Sequence, residues 1–246
     1  ISPSDVGESI ESAEEFINTW KDRSPLITPG FGPHAPYSLP PDGYARIAQL
    51  ADKYDVPIHT HLSETVREVG LIREQYHCTA TEMLLHAGVL SPRLSVAHGV
   101  HLTPEDVRLL VEHGVGLAYN PSSNMKMAAG IASIPKYLSE GLTVGLGTDS
   151  NLSNNNLDMF EEMRVGAFLQ KLTLKDPAAM PVQTMLDMAT RFSAKVLNME
   201  KLVGSLEIGK QADIILVDLD QPHLWPLVDG TRHNIEEQIV YSASAA

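Results

Sequence analysis

The stretch LSVAHGVHLTPEDVRLLVEHGVGLAYN, residues 94–120, decides the fold. LSVAH at 94–98 is an apolar run of strand length that ends on a histidine. Thr103, Pro104, Glu105 and Asp106 then supply an N-cap, a proline in the first turn and early acidic residues, a strong helix start. The helix is expected to run to His113 and Gly114. VGLAY at 115–119 is a second apolar strand, followed by Asn120. Strand, crossover helix and strand in so short a span predict parallel pairing.

The same unit recurs on both sides. Upstream, PLITPGF at 25–31 and VPIHT at 56–60 read as strands. Between them, residues 41–54 place Tyr44, Ile47, Ala48 and Ala51 at the spacing of a buried helix stripe. Helical pattern also covers 8–20, 65–74 and 79–87. Downstream, a short helix at 134–140 closes on Gly141, LTVGL at 142–146 is a strand, and 156–172 and 181–198 are helical. The strands are apolar throughout, as expected where both faces are covered. Two architectures compete, an open doubly wound sheet and a closed barrel of strand–helix units. The polar residues favour the barrel, whose chemistry collects where different strands end. His34, His61, His98, Asn120 and Asp149 each sit at or just past a strand end. No glycine-rich phosphate loop follows the first strand.

After Asn198 the pattern changes. GSLEIGK at 204–210 is turn-like, ADIILV at 212–217 reads as a strand in a new context, and Trp225 and Pro226 open an irregular stretch. The expected organisation is a partial barrel over 1–203 and a segment of a small β domain over 204–246.

With 43% hydrophobic and 20% charged residues, the chain has a globular balance. A net charge of −13 argues against a nucleic-acid partner, because phosphates need a basic surface. No apolar run is long enough to span a membrane. The lone Cys78 excludes a disulfide framework, fits a cytoplasmic location and reads as a packing residue.

His59 and His61 alternate along one strand and so face the same side. Imidazole suits zinc and neighbouring divalent metals. Such a pair is also common without a metal, but Glu64, three residues on, is placed to move a proton. His98, ending the next strand, could be a satisfied core histidine; its position at the same strand-end level favours chemistry. His101 reads as structural. Asp149 leaves an apolar strand through Gly147 and Thr148, and a carboxylate there needs a partner. A metal would supply one; a helix N-cap is the plainer reading. His34, on a proline-flanked loop, is placed to touch substrate. Together these residues describe a mononuclear hydrolytic metal site with His98 and Asp149 handling the water and Glu64 the leaving side.

These residues resemble the amidohydrolase superfamily, in particular its methylthioadenosine/S-adenosylhomocysteine deaminase group. The resemblance covers nearly the whole chain. It rests on GPHAPY at 32–37, HTHLSET at 59–65, VAHGVHL at 96–102, NPSSNMKMAAGIA at 120–132, GLGTDSNLSNNNLDMFEEMR at 145–164 and GSLEIGKQADIILVDL at 204–219. It implies a TIM-type (β/α)8 barrel, incomplete here and covering about its fourth to eighth strands, with part of a C-terminal β-sandwich. It implies one divalent metal, Zn2+ or alternatively Fe2+, held by His61 and Asp149, with His59 only a neighbour. Glu64 becomes the proton shuttle and a substrate contact, His98 the residue beside the attacking water, and His34 a substrate contact. The implied reaction is hydrolytic deamination of an adenine ring in a small nucleoside, releasing ammonia. A homo-oligomer is compatible with it.

Three features depart from the family pattern. The H-x-H of the first barrel strand, which supplies two further ligands, is not in this sequence, so the chain is expected to be a fragment that alone binds zinc poorly and is inactive. Gly99 stands where the group usually has cysteine and is expected to remove volume, and Ser150 stands where it usually has glycine and is expected to add a hydroxyl beside Asp149. Two other functions compete. One is a sister reaction on triazines, guanine or cytosine, its substrate chosen by contacts around His34 and residues 153–156 and in the missing segment. The other is a non-catalytic relic, against which the intact set of His61, Glu64, His98 and Asp149 speaks.

Overall fold

A computed structural model of the chain describes residues 6–228, 230 and 233–245. It resolves into two compact units, Ile1–Leu117 with Glu140–Leu142, and Ala118–Ser139 with Thr143–Ala246. None of the described helices is long and apolar enough to cross a membrane.

The first unit opens with helices α1 (Val6–Trp20) and α2 (Pro41–Tyr54). Strand β1 (Ile58–Leu62), helices α3 (Val66–Tyr76) and α4 (Ala80–His86), strand β2 (Leu94–His98), helix α5 (Pro104–Glu112) and the start of strand β3 (Gly116–Tyr119) follow. β1 and β2 pair in parallel, with Ile58 opposite Leu94 and Leu62 opposite His98. Capping boxes start two helices: Thr79 with Glu82 on α4, and Thr103 with Asp106 on α5. The core gathers Tyr44, Leu50, Ile58, Leu62, Leu94, Val96 and Leu110.

The strand expected at 25–31 is reduced to one parallel bridge, Phe31 to Ile58. Pro25 and Pro29 have no N–H to give a ladder, and Leu26 and Ile27 lie exposed, so within 25–31 the bridge to β1 is confined to Phe31. β1 starts at Ile58, two residues later than read, and runs on through His61. It is also not apolar throughout: Ile58, Thr60 and Leu62 are buried, while His59 is exposed and His61 half-buried.

In the second unit the end of β3 runs beside strand β4 (Val144–Leu146), with the Gly147 amide donating to the Tyr119 carbonyl (2.9 Å). Short helices α6 (Pro121–Lys126) and α7 (Ile134–Ser139) precede β4. After it come α8 (Asn151–Asn154), α9 (Met159–Leu174), α10 (Val182–Ala189), α11 (Arg191–Val196), a single 3₁₀ turn at Pro222–Leu224, and α12 (Ile235–Tyr241). Tyr119, Val144, Met163, Ala167, Met185, Met188 and Val240 form the core. The single helix expected at 181–198 is two, broken at Thr190. The break lets Ser193 Oγ accept the Leu146 amide (3.1 Å).

The strand expected at 212–217 does not form among the described residues. Ile214, Ile215 and Leu216 instead stand 57%, 75% and 94% exposed.

Candidate metal centre

In the first unit, parallel register brings the ends of β1 and β2 level, so His61 and His98 become neighbours. Their rings stack, centroids 5.3 Å apart and planes 22° from parallel. The ring of His34 lies 5.0 Å from that of His61. The His61 Nδ1 is 2.6 Å from the His34 carbonyl. A carbonyl only accepts, so Nδ1 carries the hydrogen, and in the neutral ring Nε2 keeps its lone pair. That is the tautomer a metal-binding imidazole needs, and a carbonyl partner at the far nitrogen is the usual way to fix it. His98 is fully buried, and its Nε2 lies 3.9 Å from Glu64 Oε2. His59, on the same face of β1, bonds Ser95 Oγ at 2.8 Å. His34 Nδ1 meets Ser38 Oγ at 3.1 Å. Desolvation of the His34 ring pushes its pKa below the ordinary histidine value, and His61 beside it acts in the same direction.

The backbone turns sharply after β1. Ser63 adopts a left-handed φ of 50°, and His98 at the end of β2 one of 75°. Such conformations cost energy and cluster at functional sites. The turn carrying Glu64 is held by Glu68, itself only 3% exposed. Glu68 Oε1 accepts the Ser63 amide and Oε2 the Glu64 amide, each at 2.8 Å. Gly99 does not leave the space its size suggested. A Cβ there would meet Leu117 Cδ1 at 2.9 Å and Leu102 Cδ1 at 3.1 Å, so two leucines already fill the volume.

In the second unit, Asp149 leaves β4 with a left-handed φ of 59°. Its Oδ2 accepts the hydroxyls of Ser123 and Ser153, each at 2.6 Å, and its Oδ1 accepts the Ser150 amide at 2.7 Å. These hydrogen bonds fix the direction of the carboxylate. The Ser150 hydroxyl does not lie on Asp149 but meets Ser153 Oγ at 3.2 Å. Asn120 is buried, and its Oδ1 would lie 2.4 Å from a Cβ at position 147, so only glycine fits there. The polar residues at 153–156 are engaged within the unit. Asn154 Nδ2 donates to the Thr148 carbonyl (2.7 Å) and to Glu162 Oε1 (2.8 Å), while Asn155 Oδ1 accepts Lys126 Nζ (2.6 Å). Glu162 is fully buried, and its Oε2 accepts the Ser122 amide at 3.1 Å. Burial pushes its carboxyl above the ordinary glutamate value, and the donors from Ser122 and Asn154 oppose that shift.

Sequence reading singled out neither Glu68 nor Glu162. One signal was available. Glu162 shares a helix stripe with Gly166 and Gln170, all buried, and Glu68 shares one with Ile72.

A model of the amidohydrolase family matches residues 3–245. The chain belongs to the amidohydrolase family. Among curated amidohydrolase relatives, it is 42% identical over 233 residues to a 5-methylthioadenosine/S-adenosylhomocysteine deaminase of Desulforudis audaxviator, covering 94% of this chain and 53% of the relative. It thus spans about half the length of the curated relatives it matches. Among solved structures, it superposes with a TM-score of 0.90 at 35% identity on an adenosine deaminase from Xanthomonas campestris with bound zinc, covering 97% of this chain and 53% of that one. It also superposes with a TM-score of 0.86 at 28% identity on the atrazine chlorohydrolase of Arthrobacter aurescens complexed with zinc, covering 97% and 52%.

Proposed function

We propose that this chain belongs to a metal-dependent hydrolytic deaminase acting on the adenine ring of 5′-methylthioadenosine and S-adenosylhomocysteine-type nucleosides. The observation that carries the reading is the His61 tautomer: Nδ1 is committed to the His34 carbonyl, which leaves Nε2 ready for a cation beside Glu64 and His98. The name of the Desulforudis relative and the zinc in the solved amidohydrolases support it.

In this reading His61 Nε2 and the Asp149 carboxylate are ligands of one divalent metal, most simply Zn2+. The pairing of these residues follows from the sequence resemblance. Their donor chemistry fits, an imidazole nitrogen and a carboxylate oxygen. When bound, the metal lowers the pKa of a water molecule and so makes a nucleophile available near neutral pH. Glu64 takes a proton from that water on its carboxylate and delivers it to the ring nitrogen beside the amino-bearing carbon. The water oxygen would add to that carbon, its remaining proton would pass to the amino group, and the carbon–nitrogen bond would break as the carbon–oxygen double bond forms, so that ammonia leaves. His98 orients the water from the end of β2, and His34 contacts the substrate. The alternation over 1–203 is assigned to about the fourth to eighth strands of a (β/α)8 barrel. Residues 204–246 are assigned to part of a β-sandwich, for which the exposed apolar run at Ile214, Ile215 and Leu216 is suited. A small nucleoside, rather than nucleic acid, is the partner that a net charge of −13 allows.

The likeness to the atrazine chlorohydrolase keeps a triazine substrate as the second reading. Ammonia or chloride release by the full-length, zinc-loaded gene product separates them, on a panel of methylthioadenosine, S-adenosylhomocysteine, adenosine, atrazine, guanine and cytosine. The highest kcat/KM is expected on an adenosine derivative. Preference for a triazine or a free base would replace this reading with a sister reaction, and turnover of none would favour a relic.

A further inference from the structure

Glu162 is 0% exposed, and the deamination chemistry gives it no task. Its two oxygens hold two different segments of the second unit. Oε2 accepts the amide of Ser122 at 3.1 Å, and the next residue, Ser123, donates its hydroxyl to Asp149 Oδ2 at 2.6 Å. Oε1 accepts from the Asn154 amide group at 2.8 Å, and the preceding residue, Ser153, donates its hydroxyl to the same Asp149 Oδ2 at 2.6 Å. The second hydrogen of Asn154 Nδ2 goes to the carbonyl of Thr148, the residue just before Asp149. One buried carboxylate therefore anchors both hydroxyl donors of Asp149 and the backbone that delivers it. A buried carboxylate is costly unless its lone pairs are used, so a purely apolar role would have favoured leucine or methionine on this stripe.

We propose that Glu162 is a positioning residue that fixes the Asp149 carboxylate through two arms, Ser122–Ser123 and Asn154–Ser153, and so sets metal affinity without touching the metal. The proposal rests on the assignment of Asp149 as a ligand. The arms need two acceptors, because both Ser122 and Asn154 present N–H groups. Glu162→Gln supplies only one and sets its own NH2 against the other arm. Losing such an outer partner typically weakens metal binding about 10–100-fold.

The test is zinc affinity of the full-length protein, read by competition with a chromophoric chelator, together with a thermal melt. E162Q, D149N and the double variant are compared with the parent. E162Q is expected to weaken zinc about 10–100-fold. In the D149N background, adding E162Q should change zinc affinity by less than about twofold, because the two act through one ligand. Asn154→Ala, which frees a single arm at a partly exposed position, should weaken zinc several-fold, and it decides the question if E162Q does not fold. A merely structural Glu162 would lower the melting temperature and leave zinc affinity at the parent value. That result overturns the proposal, as would losses that multiply in the double variant. Full zinc affinity in D149N would instead overturn the ligand assignment, and this inference with it.

Discussion

After β1 the chain turns at Ser63 and Glu64, and after β4 it turns at Thr148 and Asp149. Each turn hangs on a buried glutamate from a helix further along. The means differ. Glu68 grips its turn directly, by two adjacent backbone amides at 2.8 Å. Glu162 works at one remove, through the Ser122 amide and the Asn154 side chain. The Glu64 turn is therefore fixed as backbone, while the Asp149 turn is fixed by side chains that also feed hydroxyls to its carboxylate. The first arrangement suits a group that must be aimed at a reacting atom. The second suits a group whose charge and lone-pair direction matter.

The contrast is sharpest at the proposed proton carrier. On that reading, Glu64→Gln removes the carrier and leaves the Glu68 grip on the backbone. Deamination in the full-length protein should fall about 10²–10⁴-fold while zinc content stays at the parent value. Zinc loss in that variant would place Glu64 among the ligands and erase the division between the two turns.

Glu68→Gln breaks half of the direct grip. Gln offers one acceptor to two amides, so one buried N–H loses its partner at a cost of about 1–3 kcal/mol of stability. Misaiming Glu64 by as little as an ångström should cost about 10²-fold in kcat, again with zinc retained. The expected pattern is thus activity lost without metal at Glu68, and metal lost at Glu162. A zinc defect in E68Q equal to that of E162Q would show that the two turns are not functionally distinct.

A third carboxylate, Asp187 on α10, gives the smallest effect. The Arg191 guanidinium hydrogen-bonds Asp187 and holds its carboxyl below the usual carboxylate range. Because the folded pKa is depressed, the stabilisation is present above the unfolded value of about 4 and is lost as pH falls through the folded one. Arg191 is 58% exposed, so solvent screens the pair and its contribution is small. Arg191→Gln should lower the melting temperature slightly at pH 7, and the difference should shrink as pH falls below about 4 and the Asp187 carboxyl becomes protonated. A difference that grows on acidification would reverse the sign and refute the assignment. Neither zinc affinity nor turnover should change in this variant.

The parts of the fold legible in the sequence are those set by local signals. β2 covers the residues read as a strand at 94–98, α2 covers those read as a helix at 41–54, and the N-cap seen at Thr103 starts α5. Those elements carry their own caps and apolar periods. The stretches at 25–31 and 212–217 look equally strand-like, but strands need partners. Proline limits the first to one bridge, and the second pairs with nothing that makes it a strand among the described residues. At the candidate centre, His61, His98 and Asp149 stand out because strand ends are where a barrel gathers chemistry. Glu68 and Glu162 did not, because acidic residues on helices usually face water. Only their place on buried stripes gives them away, and that becomes plain once packing is known.

The central claim is that His61 and Asp149 hold the same cation. Anomalous scattering at the zinc edge, from crystals of the full-length protein loaded with zinc, tests it most directly. One peak is expected within about 2.0–2.2 Å of both His61 Nε2 and an Asp149 carboxylate oxygen. A peak that contacts only one of them, or neither, would contradict it.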